Sequence, residues 1–361
     1  MNKTVLIFYL LLFTIANGGC QASVKETIYI RVNQVGFLPT DFKSGVAFSR
    51  ANLTAIDYNV FSVAENKIIH KGKLDTSFGV WGNFNFNHRF DFSEVKSDGE
   101  YFIEINGNRS NKFSISQNVY DGIVDSLLLF LKVQRCGPTN PILRDECHLY
   151  DSPRLVGDPN FTGAVDVTGG WHDAGDYIKF LNTTAVTTYM LLFAYEYDNE
   201  RFSFDNDNSG APDILEEAKI GLDWMLRANY QNQALINQVQ DKRDHTVGWR
   251  LPSDDTLRFD RPAYVGMGKN LVGIFSAVMA LGSKIWKEKF YDEAFSSQLL
   301  AAALNIYSIR NSVPNLDSTN SGMYQDSRFW GKLALGAVEL YNRTKRKGFL
   351  NDAIVYGDSA K

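Results

Sequence analysis

The chain has 361 residues, of which 44% are hydrophobic and 13% are aromatic, enough apolar side chains for substantial cores. This length exceeds that of one typical domain, so we expect two folded units. The formal net charge is −4, and no basic stripe runs along the sequence, which excludes nucleic acid as an expected partner.

Residues 1–20 have the pattern of an export signal. Lys3 supplies a positive charge, and the apolar run from Val5 to Ala16 is too short to span a bilayer. Cys20 follows two glycines, which resembles the cleavage box of a bacterial lipoprotein, although Asn17 stands where an aliphatic residue is usual. We therefore expect export and a cell-envelope location, with a lipid on Cys20 as the membrane anchor. Ordinary signal cleavage and secretion are the alternative.

Short runs of alternating apolar and polar residues extend from Thr27 to about Ser116. Such alternation, interrupted by turn sequences such as Ser97-Asp-Gly99, is typical of a β-sandwich. The predicted strands are Ile28–Val32, Val46–Phe48, Asp57–Val63, Asn83–Phe86, Tyr101–Ile105 and Phe113–Ile115. The sequence therefore predicts a β-sandwich domain over residues 24–116.

Near Tyr120 the hydrophobic period changes from two to about 3.6, the period of an α-helix. Pro212, for example, stands in the first turn of an apolar stripe, where its missing N–H is harmless. The predicted helices are Tyr120–Gln134, Thr183–Tyr197, Pro212–Tyr230, Lys269–Lys287, Phe290–Arg310 and Ser327–Asn342, with another beginning at Phe349. We expect an all-α second domain over residues 117–361, either a bundle or a helical toroid.

Residues 169–177 read Gly-Gly-Trp-His-Asp-Ala-Gly-Asp-Tyr and are called the signature loop below. Asp173 and Asp176 are separated only by small residues, which allow a loop to approach a ligand closely. Two neighbouring carboxylates can hold one water molecule and take its proton. The residue types leave a second interpretation open, in which Asp176 caps a helix or the pair is simply solvated.

The signature loop resembles that of glycoside hydrolase family 9, a group that contains many bacterial and plant endoglucanases. Arg31–Pro39 resembles the opening of the immunoglobulin-like domain that precedes many of these catalytic domains. The segments Gln134–Gly137, Pro212–Glu217 and Ala337–Tyr341 are similar to further family segments, so the resemblance extends from residue 27 to about residue 355. It implies an immunoglobulin-like β-sandwich followed by the first half of an (α/α)6 helical toroid.

The resemblance also implies an activity, the inverting hydrolysis of a β-1,4-glucan such as cellulose, mixed-linkage glucan or xyloglucan. Asp176 would be the general base, and Asp173 would position the attacking water. Trp171 and Tyr177 would contact the polysaccharide. The general acid of the family is a glutamate near the end of the catalytic domain, and we expect it to be absent from these 361 residues. Glu339 lies on a helix whose residue pattern indicates a structural role, so we do not assign it as the general acid.

We expect the protein to be a monomer. The alternative to the enzyme is a non-catalytic, carbohydrate-binding remnant of one.

Cys136, Cys147, His148 and His172 form a second group of candidate site residues. Two thiolates and two imidazoles complete a tetrahedral zinc site, which is structural because no position stays open for water. A zinc hydrolase is disfavoured for the same reason. A Cys136–Cys147 disulfide is the alternative in an exported protein. The resemblance favours zinc, because family members with this immunoglobulin-like domain often hold zinc with such a set.

Residues 205–216 have the spacing of a calcium-binding loop. Oxygen donors stand at positions 1, 3, 5, 9 and 12, and calcium prefers oxygen ligands. These donors are Asp205, Asp207, Ser209, Asp213 and Glu216. We expect calcium to pin this loop without a full EF-hand; a solvated acidic loop that caps the next helix is the alternative.

Overall fold

A computed structural model of the chain describes residues 27–152, 154–161, 163–231, 233–257, 259–317 and 326–361. The predicted export signal and Cys20 lie outside these residues. The chain divides into two compact units between Gly122 and Ile123. In the described part of the chain, no helix combines the length and apolar character needed to cross a membrane.

The first unit is a sandwich of two antiparallel sheets. Strands β1 to β8 span Tyr29–Val32, Ser44–Ser49, Asp57–Ser62, Lys67–Lys73, Phe86–Asp91, Gly99–Ile105, Asn108–Arg109 and Phe113–Ile115. One sheet has the order β1-β2-β5, and the other has the order β4-β3-β6-β7 with β8 beside β6. Phe90, Phe92 and Ile103 lie in the core between the sheets. The predicted β-sandwich is confirmed.

Two strands of the sandwich differ from the prediction. The edge strand β4 is absent from the prediction, because three of its seven residues are lysines and none of the seven is buried, so the alternation is weak. The predicted strand Asn83–Phe86 is instead mostly a tight turn. There the backbone N–H groups of Trp81 and Phe84 donate to each other's carbonyl oxygens, and the paired strand begins only at Phe86.

The described residues of the second unit form seven α-helices. Helices α1 to α7 span Ile123–Gln134, Leu181–Tyr197, Asp213–Ala228, Lys269–Lys289, Glu293–Ser308, Trp330–Thr344 and Lys347–Ser359. Each predicted helix is confirmed, and its ends agree to within three residues. Helix α4 is buried along most of its length and packs against α2, α5 and α6, so it forms the centre of this unit.

A small sheet in the second unit corrects the expectation of an all-α domain. Strands β9 to β13 span Leu155–Val156, Lys179–Phe180, Asn229–Tyr230, Ala234–Val239 and Ala263–Val265. Their order is β10-β12-β13-β9, with β11 beside β12. Strands of two to six residues are too short to produce a clear alternation. Because β10 begins two residues after Tyr177, this sheet fixes the end of the signature loop.

Glu339 on α6 is buried, and its carboxylate accepts a 2.8 Å hydrogen bond from Oη of Tyr189 on α2. Burial raises the pKa of Glu339, although the hydrogen bonds from Tyr189 and Asn342 oppose the shift. A carboxyl group whose pKa is higher in the folded state contributes its full stability below the unfolded pKa. That contribution is lost as the pH rises through the folded pKa.

We expect Glu339→Gln to raise the thermal midpoint near neutral pH and to change it little in acid. Glutamine keeps an acceptor for Tyr189 but carries no charge, and each unit of pKa displacement corresponds to about 1.4 kcal/mol. Thermal melts at several pH values between about 4 and 8 measure the effect. Glu200→Gln, at an exposed position, is the control. An equal change at all pH values would contradict the assignment.

Candidate active site and metal centre

The four predicted metal ligands lie together in the second unit. Ligand atoms of Cys136, Cys147, His148 and His172 are all within 4.8 Å of one another, and all four residues are buried. Nδ1 of His148 faces Nε2 of His172 at 3.2 Å, and Sγ of Cys147 lies 3.7 Å from the same Nε2. Both cysteines are free thiols. The donor set therefore fits one tetrahedral cation.

Cys136, Cys147, His148 and His172 are called the metal cluster below. Backbone hydrogen bonds hold these four residues together. After α1 ends, the N–H of Cys136 donates to the carbonyl of Gly170, and the N–H of His172 donates to the carbonyl of Gln134. Gly137 has a φ of 67°, and a Cβ there would lie 2.5 Å from a backbone nitrogen. Only glycine fits such a left-handed and crowded position. The segment after α1 is thereby paired with the signature loop.

Cationic side chains lie next to both cysteine sulfurs. Nζ of Lys179 is 3.6 Å from Sγ of Cys136 and 3.1 Å from Oδ2 of Asp151. Nη1 of Arg144 is 3.1 Å from Sγ of Cys147. The hydrogen bond with Cys136 and the charge of Arg144 lower the pKa of Cys147 to about 7, although burial acts in the opposite direction. These surroundings favour the thiolate, which is the metal-binding form.

A buried network of charges begins at the metal cluster. Nε2 of His148 lies 3.0 Å from Oδ2 of Asp255, which also pairs with Arg250 and with Arg261. Each of these arginines pairs with Asp244 at 2.7 Å. Burial alone would raise the pKa of Asp255, but the hydrogen bonds from Arg250, His148 and Arg261 hold it well below its usual range. No local motif marks this network, because its members come from distant segments.

Asp176 lies in a surface pocket that is also lined by Gly175, Asp244, His245 and Trp249. Its Oδ2 is 2.9 Å from Nδ1 of His245. Its Oδ1 is buried and has no hydrogen-bond partner among the described residues. One oxygen of the carboxylate is therefore oriented by an imidazole, and the other is left unpaired at the wall of a surface pocket. A carboxylate held in this way is a candidate general base.

Asp173 is in the same loop but lines a different pocket, together with His172 and threonines of α2. Its backbone N–H donates to the carbonyl of Ile178 at 2.9 Å, which closes the loop. Tyr177, which lies between Asp176 and Ile178, has a φ of 59°, an uncommon conformation for a bulky residue. The signature loop thus turns sharply immediately after Asp176.

Trp171 and Tyr177 are buried, which corrects the expectation that they contact sugar. Their exposed fractions are 5% and 2%. Nε1 of Trp171 donates to Glu217 at 2.7 Å. The Tyr177 ring packs against the imidazoles of His148 and His172, with centroids 4.8 and 4.9 Å apart. Neither ring presents a free face to a ligand, so both anchor the signature loop.

Trp249 is the aromatic side chain with a free surface beside Asp176. It is 76% exposed, and a Cβ at Gly175 would lie 2.8 Å from its ring. An exposed indole next to a carboxylate can stack on the apolar face of a sugar. Neither Trp249 nor His245 can be assigned from local sequence, because each lies about seventy residues beyond the signature loop. Only their three-dimensional proximity to Asp176 identifies them.

The candidate calcium loop brings together three of its five predicted ligands. The carboxylates of Asp205, Asp207 and Asp213 lie within 4.8 Å of one another. The backbone N–H of Ser209 donates to the carboxylates of Asp205 and Asp207 at 3.0 and 3.1 Å. Glu216 is not part of this group and lines a surface groove on α3. The structure supports an oxygen-rich site with fewer ligands than the spacing predicts.

Comparison with known proteins agrees with the architecture. Residues 25–110 match the cellulase N-terminal ig-like domain, and residues 120–361 match the model of glycosyl hydrolase family 9. The two units thus correspond to an immunoglobulin-like domain and a glycoside hydrolase domain. The chain belongs to glycosyl hydrolase family 9.

Individual relatives are distant. A cellodextrinase from Butyrivibrio fibrisolvens is 27% identical, with 90% of this chain and 60% of the relative aligned. A xyloglucan-specific endo-β-1,4-glucanase from Bacteroides ovatus is 25% identical, with 97% of this chain and 64% of the relative aligned. A solved metagenome-derived family 9 endoglucanase has a TM-score of 0.75 at 26% identity, with coverages of 92% and 64%. The chain therefore spans about three fifths of the length of these relatives.

Proposed function

We propose that this chain carries the base-bearing part of an inverting β-1,4-glucanase, with Asp176 as the general base. The supporting observation is the carboxylate of Asp176 in a surface pocket, where His245 holds one oxygen and the other has no hydrogen-bond partner among the described residues. The proposed substrates are cellulose, mixed-linkage glucan and xyloglucan. The relatives named for cellodextrin and xyloglucan support this class.

In the proposed reaction, Asp176 takes a proton from a water molecule whose oxygen attacks the anomeric carbon on the face opposite the leaving group. His245 fixes the carboxylate of Asp176, and Trp249 supports a sugar ring. The resemblance assigns Asp173 to orient the water, although its side chain lines a separate pocket in the structure. A base and an acid about 6.5–9.5 Å apart leave room for this water, and the single displacement inverts the configuration.

The acid must protonate the leaving oxygen, and the other carboxylate at the Asp176 pocket is unsuited to this task. Asp244 is buried, and both of its carboxylate oxygens already accept hydrogen bonds from Arg250 or Arg261. We propose, as the resemblance implies, that the general acid is a glutamate from the C-terminal part of a family 9 catalytic domain.

We propose zinc as the ion of the metal cluster, because two thiolates and two imidazoles in a buried tetrahedral set suit this ion and leave no position for a reacting water. The bound ion would supply only a cross-link. His148 and His172 would be held by it, and the backbone from His172 leads directly into Asp173. The residues of the cluster would thereby restrain the signature loop.

We propose calcium for the loop that contains Asp205, Asp207 and Asp213. The spacing also predicts Ser209 and Glu216 as ligands, of which Glu216 lies outside this group of carboxylates. We also propose that the chain is exported as a monomer and attached to the cell envelope by a lipid on Cys20. The support for export and for the lipid anchor is the sequence pattern of residues 1–20. The mass of the mature N-terminal peptide distinguishes a lipidated Cys20 from ordinary cleavage.

Protein purified without chelator is expected to contain about one zinc ion per chain, since the four ligands complete the coordination sphere. Elemental analysis measures this content. His172→Ala should remove most of the zinc, whereas His245→Ala, which changes an imidazole outside the cluster, should retain it. A zinc-poor wild-type chain, or a Cys136–Cys147 disulfide found by mass spectrometry, would disprove the assignment.

Calcium is expected to raise the thermal midpoint, because an ion that binds only the folded state adds about 2.7 kcal/mol at a hundredfold excess over Kd. Melts in calcium and in a calcium-selective chelator, at equal ionic strength, measure the shift. Asp207→Ala should abolish the response. Asp223→Ala, which changes an exposed aspartate of α3, should preserve it. A response that survives Asp207→Ala would place calcium elsewhere.

The 361-residue chain alone is expected to show little hydrolysis of carboxymethyl-cellulose or mixed-linkage glucan, because general acid catalysis is typically worth about 10²–10⁴-fold. A version extended by the C-terminal helices of a family 9 domain should be active. In it, Asp176→Asn should abolish turnover while zinc content and sugar binding persist.

NMR of the first products measures the stereochemistry of the extended version, and we expect inverted configuration. Asp166→Asn, which changes an exposed aspartate shortly before the signature loop, is the matched control and should remain active. Strong cleavage by the 361-residue chain would show that the acid lies within it. Products with retained configuration would overturn the mechanism.

A further inference from the structure

We infer that the metal cluster also holds the opposite wall of the Asp176 pocket, through a contact between His148 and Asp255. This wall is the segment of residues 241–257, called the wall segment below, which carries His245 and Trp249. The inference rests on the proposed metal site and extends it from the signature loop to a second, separate loop.

His148 has two buried contacts in different directions. Its Nδ1 faces the other ligands of the cluster, and its Nε2 lies 3.0 Å from Oδ2 of Asp255. The side chains of His148 and Asp255 are almost completely inaccessible to solvent. A cation at Nδ1 leaves the ring proton on Nε2, where it can only be donated to Asp255. Metal binding would therefore favour the tautomer that the wall segment needs.

Asp255 in turn ties the wall segment into a closed loop. Its carboxylate accepts hydrogen bonds from Nε of Arg250 at 2.7 Å and from the backbone N–H of Leu257 at 3.0 Å. Arg250 and Arg261 both pair with Asp244. Three points of the segment, at residues 244, 250 and 255, are thus joined by charged hydrogen bonds.

The groups at the Asp176 pocket are the direct sequence neighbours of these tied residues. His245 follows Asp244, and Trp249 precedes Arg250. The carbonyl of Arg250 also accepts a hydrogen bond from Oη of Tyr177, the residue after Asp176. The ionic network therefore determines where the imidazole and the indole stand relative to the base.

Little regular structure would maintain the wall segment without these contacts. Its helical parts are two single 3₁₀ turns, Lys242–His245 and Pro252–Asp254. Short 3₁₀ turns have poor hydrogen-bond geometry and do not persist alone. A buried ionic network is strongly destabilised when one member loses its partner. Loss of the cation, or of the His148–Asp255 contact, should therefore loosen residues 241–257 as a unit.

Hydrogen exchange of the whole chain, followed by mass spectrometry, tests the inference with and without zinc. Removal of zinc by a chelator should accelerate exchange in residues 241–257 by at least about tenfold, while α4 and the β-sandwich stay protected. Asp255→Asn should exchange rapidly in this segment even with zinc bound. The matched control is Asp260→Asn, which breaks an exposed pair with Arg154 and should behave like the wild type.

His148→Cys is the decisive second variant, because a cysteine can remain a zinc ligand but cannot reach Asp255 with a ring nitrogen. We expect it to bind about one zinc ion per chain and still to exchange rapidly in residues 241–257. Protection of residues 241–257 from exchange in zinc-loaded His148→Cys would overturn the inference. So would a wild-type chain in which removal of zinc leaves the exchange of these residues unchanged. A wild-type chain without bound zinc would refute the metal proposal and this inference together.

Discussion

The candidate site depends on the requirement that buried charges be paired. The guanidinium of Arg261 is completely buried, with Asp244 and Asp255 at hydrogen-bonding distance and Asp151 at 3.5 Å. Asp151 in turn pairs with the buried Lys179, which also lies beside a sulfur of the metal cluster. A buried charge that loses its partner is strongly destabilising, so these contacts form or fail together. Loops that lack helices or long strands obtain their fixed geometry from this network.

This dependence explains why the metal cluster and the candidate base are neighbours. The signature loop contributes the proposed ligand His172 and, four residues later, the proposed base Asp176. The short strand β10 follows and carries Lys179, which connects the loop to the ionic network. A short stretch of chain is thus restrained at its start by the cluster and at its end by a buried cation and a sheet. Asp176 lies between these two restraints, where a general base needs a constant orientation.

The sequence predicts what local patterns encode. The seven helices of the described residues follow from the 3.6-residue period, and the candidate metal ligands follow from their residue types and from the resemblance to family 9. Strand β4 and the small sheet are not predictable because their alternation is weak or short. His245 and Asp255 are missed because their role arises from contacts across distant segments. The sequence prediction places Trp171 and Tyr177 in contact with substrate, whereas the structure buries both rings. Burial of an aromatic ring depends on the whole fold and cannot be read from neighbouring residues.

Tyr177 has a left-handed backbone conformation, which glycine and asparagine adopt far more easily than tyrosine. Its ring nevertheless packs against two imidazoles, and its hydroxyl donates a hydrogen bond to the wall segment. Local backbone preference and tertiary contact therefore favour different amino acids at this position. Selection for ease of folding would favour glycine here, whereas selection for an ordered pocket would keep the aromatic ring. The identity of residue 177 in a family 9 chain thus indicates which of the two pressures has shaped its active-site loop.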